Sequence, residues 1–99
     1  MAIGLAAGFF PFSSMAQDRT LFHEATFKRC VAQQRADPVN AERRDLALSG
    51  YCTCYAAEIS DTVPADILNT SPSAATPEQA GTLQALMEAA AQRCANLLD

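Results

Sequence analysis

The chain is predicted to be all-α, a small irregular bundle of three main helices plus one or two short helices, stapled by two disulfides. Three observations carry that prediction. Apolar residues recur at helical spacing through most of the chain beyond residue 17, and no alternation of period two runs longer than a few residues. Helix punctuation is explicit, most fully in Thr76-Pro77-Glu78-Gln79. Four cysteines, Cys30, Cys52, Cys54 and Cys94, follow an uncharged apolar leader, which is the pattern of a small exported domain held by disulfides.

The leader comes first. Residues 1–17 carry no charged side chain, and 2–10 form an apolar run that Pro11 interrupts. Ser14-Met15-Ala16 then places small residues at the two positions a signal peptidase reads. Cleavage after Ala16 divides the chain into a signal peptide over 1–16 and a single helical domain over 17–99. One element of the pattern is missing, since no Lys or Arg precedes the apolar run. Gly4, Gly8 and Pro11 disfavour a stable helix in this stretch. Its length of about fifteen apolar residues falls short of the roughly twenty that a spanning helix needs. Without a membrane span, the mature product is expected in the periplasm or outside the cell.

The first helix is expected over 18–35, with Phe27, Cys30, Val31 and Gln34 on one stripe and Leu21, Phe22 and Ala25 broadening it. Asp37-Pro38 ends it, because a residue before proline avoids the helical region. Asn40 is read as the cap of a short segment over 41–48. Ser49-Gly50 is read as a restart, with Ser49 capping a second helix over 50–62 whose apolar face is Cys52, Tyr55, Ala56, Ile59 and Val63. Pro64 opens a short turn over 65–68, and 69–75 is a loop rich in Ser, Thr, Pro and Ala. The last helix starts at the Thr76 capping box, and Leu83, Leu86, Met87, Ala90, Cys94, Leu97 and Leu98 recur along it at helical spacing.

The cysteines decide the chemistry. Four allow three pairings. Residues two apart on a helix point about 200° away from each other, so a Cys52–Cys54 bridge is geometrically poor. Two pairings remain open, Cys30–Cys52 with Cys54–Cys94, or Cys30–Cys54 with Cys52–Cys94. Either one clamps the central helix to both of its neighbours. The competing use of the same atoms is a Cu(I)-binding or thiol-redox carrier working through the C-x-C pair. No second close pair, His cluster or Met cluster supports a metal, and no Cys-x-x-Cys at a helix start supports redox cycling. The single His23 lies two turns before Cys30, about 10.5 Å along the axis.

Composition bounds the function. The net charge of −4 argues against nucleic acid and anionic membrane surfaces, which call for clustered Lys and Arg. There is no phosphate-cradling glycine loop, calcium loop or Gly-x-Ser-x-Gly turn. Bridged cysteines leave no thiol nucleophile for His23. The chain is therefore read as no enzyme and as having no cofactor. Tyr51 and Tyr55, one turn apart, with Arg43 and Arg44 nearby, are the candidate partner-binding residues, since aromatic and Arg side chains carry much interface energy. The pattern broadly resembles short four-cysteine exported proteins that act through a protein partner, as inhibitors of the immunity type or stress chaperones do. An acidic surface suits a basic partner.

Overall fold

The computed structural model describes residues 2–98, with side chains described for 18–71 and 73–98. Among these residues it is all-helical. Helix α1 spans Ala2–Ala36, α2 spans Asp45–Thr62, α3 spans Ala65–Leu68 and α4 spans Pro77–Cys94. Short 3-10 turns at Pro38–Asn40, Pro72–Ala74 and Ala95–Leu98 complete the path. Helices α1, α2 and α4 are the three main elements, and α3 is the short one. Among the described residues, no helix is long and apolar enough to cross a membrane.

Helix α2 is the centre of the bundle. Both α1 and α4 pack on it rather than on each other. Bridges Cys30–Cys52 and Cys54–Cys94 join α1 to α2 and α2 to α4, with Cα–Cα separations of 5.6 and 5.9 Å. Of the two pairings left open by the sequence, this is the one present. Advancing along α1 from Arg19 to Cys30 moves the contact on α2 back from Ser60 to Cys52, so the two helices are antiparallel. Helix α4 is antiparallel to α2 as well, because Gln79 at its start meets Asp66 beyond the end of α2, while Cys94 at its end meets Cys54. Helices α1 and α4 therefore run in the same direction on the two flanks of α2.

Among the described residues the buried core is small: Cys30, Leu48, Tyr51, Cys52, Ala56, Ile59, Val63, Ala90 and Cys94. Three of its nine members are half-cystines. Leu48, Cys52, Ala56, Ile59 and Val63 stand at intervals of three, four and seven along α2, so one stripe of the central helix supplies most of the packing.

Three boundaries differ from the sequence reading. The backbone of α1 is helical from Ala2, not from Asp18, and continues through Gly4, Gly8 and Pro11. An interior proline forfeits one backbone hydrogen bond, and the Ala, Leu, Phe and Met around it retain enough helical preference to carry the helix past. The expected cleavage point after Ala16 lies outside the residues whose side chains are described.

Asn40 does not cap a helix. Its buried amide donates to the Gln34 carbonyl at 2.9 Å and to Gln34 Oε1 at 2.8 Å, closing the end of α1. Asp37 takes the capping role instead, accepting from the Val39 N–H at 2.9 Å. Finally, α2 starts at Asp45 and passes through Ser49-Gly50 without a break. The packing of Leu48 at 0% exposure holds this first turn onto the bundle and overrides the local turn signal. The Thr76–Gln79 capping box of α4 is as expected, with both reciprocal hydrogen bonds formed at 3.0 and 3.1 Å.

Gly50 thus occupies a helix interior where, apart from its chain neighbours and the backbone of its own helix, no heavy atom lies within 4 Å of where a Cβ would stand. Gly50→Ala is expected to stabilise the fold by about 0.5–1 kcal/mol, the difference in helical preference between the two residues. Denaturant unfolding that left the midpoint unchanged or lowered it would refute a continuous helix at this point.

Candidate functional site

The C-x-C spacing shapes the surface of the bundle. Because Cys52 and Cys54 project from opposite sides of α2, the helices they bind sit on opposite flanks and leave the face between them open. That face carries Tyr55. The result is a groove of about 820 Å³, walled by Phe22, Thr26 and Arg29 of α1 and by Leu83, Met87 and Glu88 of α4. Tyr55 forms its floor, and Ile67 and Leu68 of α3 close one end. A narrower recess beneath Arg29 reaches Cys30 and Ile59, so the groove opens directly onto the core.

Tyr55 stacks on Tyr51, with ring centroids 5.8 Å apart and planes inclined by 22°. Tyr51 is buried and Tyr55 is half-buried, so Tyr51 supports from within the ring that the groove presents. Burial pushes the Tyr51 phenol up from its ordinary value. Burial also pushes up the Tyr55 phenol, with a further rise from Tyr51 and a partial offset from the Arg29 guanidinium.

Both phenols are held neutral in the folded state above the pH at which an unfolded chain ionises. Their contribution to stability is complete below pH 10, the ordinary phenol value, and is lost as pH rises through the raised folded values. The ultraviolet phenolate signal of the native protein should therefore lag behind that of the denatured protein. Coincident titration curves would contradict the burial of the pair. The chain has only two tyrosines, so the assignment is direct.

The four candidate partner residues do not form one patch. Tyr55 faces the groove and Tyr51 lies in the core behind it. Arg43 and Arg44 lie at the start of α2, where they line a separate shallow depression with Leu46, Ala47, Leu97 and Leu98. Arg43 donates to the Leu98 carbonyl, which fastens the last turn of the chain to the α1–α2 connection. Around this depression Leu46 and Leu97 are exposed at 80% and 44%.

His23 Nδ1 lies 3.3 Å from Ser60 Oγ, and Arg19 donates to the Ser60 carbonyl at 2.7 Å. These contacts attach α1 to the end of α2. Ser60 is buried, and its hydroxyl donates to the Ala57 carbonyl at 3.3 Å. The pair therefore works as a fastening between two helices. All four cysteines are bridged, and Cys30, Cys52 and Cys94 are buried while Cys54 is half-buried. Among the described residues, no group of three or more His, Cys, Asp or Glu is placed to hold a metal ion.

The groove itself was not singled out in the sequence. Its signal was the extent of the apolar stripes. On α4, Leu83 and Met87 continue the stripe of Ala90 and Cys94 towards the start of the helix, beyond the buried pair. On α1, Phe22 does the same beyond Phe27 and Cys30. In comparisons with known proteins, no protein-family model, no curated protein and no solved structure matches this chain.

Proposed function

We propose that the chain is a small exported helical protein, periplasmic or secreted, that acts by binding a protein partner, as an inhibitor of the immunity type or a stress chaperone does. Its cysteines serve as structural staples. The observation that carries this reading is the placement of both disulfides: each fixes one flank of α2, and together they hold an apolar groove open at the surface of a very small core. A domain that has its thiols bridged and a groove lined in large part by Phe, Tyr, Leu, Ile and Met is built to present a surface.

The test is to express the chain with its own leader, fractionate the cells and count thiols in the denatured product without reductant. A photo-reactive residue is placed in parallel at position 87 in the groove or at position 46 on the far depression. The expected result is an exported protein with no free thiol and a discrete protein crosslink from one of the two positions. A chain retained inside the cell, or crosslinks from neither position, counts against the reading. Free or readily reduced Cys52 and Cys54 that bind Cu(I) would replace it with a metal or thiol-redox carrier.

A further inference from the structure

We infer that the groove between α1 and α4 receives a basic amphipathic helix of the partner, an inference that rests on the partner-binding reading above and specifies its occupant. The shape argument comes from the arrangement of the three helices. Helices α1 and α4 run in one direction on the two flanks of α2, and among the described residues no helix packs across the α2 face between them. On α4 two large apolar groups stand one turn apart, Leu83 and Met87, and Phe22 on α1 lies across from them, with the Tyr55 ring between. A helix laid along this trough would interleave its own apolar stripe with theirs at the usual distance of about 8–10 Å between axes.

Charge selects the occupant. Glu88 stands on the α4 wall. Asp66 is held at the rim by Gln79, whose side-chain amide donates to it at 3.1 Å. Asp18 borders the open end, in a depression that shares Phe22 and Leu68 with the groove. Glu88 is balanced on the walls by Arg29, and among the described residues that line the groove, its end depression and its rim these three carboxylates face that one cation. An apolar helix flanked by Lys or Arg meets this rim with opposite charge. A second copy of the chain would bring carboxylates against carboxylates and is disfavoured for the same reason. A long-chain fatty anion would meet the same repulsion.

The experiment titrates the oxidised, exported protein with a synthetic helix about five turns long, bearing leucine at i, i+3, i+4 and i+7 and lysine elsewhere. Two controls are used: the same peptide with glutamate in place of lysine, and the lysine peptide in scrambled order. At physiological salt the lysine helix is expected to bind about tenfold tighter than either control, consistent with like-charge juxtaposition being costly. Amide shift changes should centre on Arg29, Tyr55 and Leu83. Met87→Lys, at a position 41% exposed and so tolerant of the change, should weaken binding by about tenfold. Leu46→Lys on the far side should leave it unchanged.

Equal binding of the scrambled or acidic peptide would overturn the inference, as would shift changes confined to the Leu46 and Leu97 side. A sedimenting dimer that Met87→Lys dissolves would also overturn it, by assigning the groove to a second copy. Failure of the peptide together with a protein crosslink from position 46 would defeat the helix proposal and leave the partner-binding reading standing. Crosslinks from neither position would defeat both.

Discussion

Replacing both members of either disulfide with alanine should cost about 3–4 kcal/mol. The estimate follows from the restriction each bridge places on the unfolded chain, with loops of 22 and 40 residues. A domain of this size has a total margin of roughly 4–12 kcal/mol, so one such loss removes a large part of it. The two bridges should differ in how they respond to reductant. Cys30 and Cys52 are 3% and 0% exposed, whereas Cys54 is half-buried, so its bridge is the less shielded of the two from an attacking thiolate. Stepwise reduction followed by alkylation and mapping should therefore open Cys54–Cys94 first. That would release α4 and the far wall of the groove while α1 remains fastened to α2. Simultaneous loss of both bridges, or earlier loss of Cys30–Cys52, would show that burial does not order their reduction.

The same geometry shows how far the sequence could be read. Fold class and the clamping role of the cysteines were legible because helical geometry alone rejects a bridge within Cys52-Thr53-Cys54. Choosing between the two remaining pairings needed the direction in which each thiol leaves α2, and that depends on which flank α1 and α4 occupy. The capping box at Thr76 was legible because its partners are local: both hydrogen bonds join residues three apart. Asn40 was misread for the opposite reason. Its type suits a cap, but its partner is Gln34, six residues back across a turn, where tertiary closure outweighs local preference. The candidate patch was proposed from neighbours in sequence. In three dimensions Tyr55 and the Arg43–Arg44 pair belong to different depressions. The groove is a product of packing, visible beforehand only as apolar positions beyond those that one helix contact requires.

Leu48→Ala is expected to cost about 2–5 kcal/mol, the range for truncating a fully buried leucine. Leu46→Ala should change stability by no more than about 0.5 kcal/mol. The two residues stand two apart in the first turn of α2, at 0% and 80% exposure, so a single helical register places them on opposite sides. This contrast depends on α2 running unbroken through Ser49-Gly50. If the helix restarted at Gly50, residue 48 would belong to a separate segment, and its alignment with Cys52, Ile59 and Val63 would not be enforced. Leu48 is among the largest fully buried side chains of the described residues. Denaturant unfolding of the oxidised proteins checks both variants in one experiment. Comparable losses from the two substitutions would mean that the first turn of α2 is not docked, and the stripe that defines the core would then begin only at Cys52.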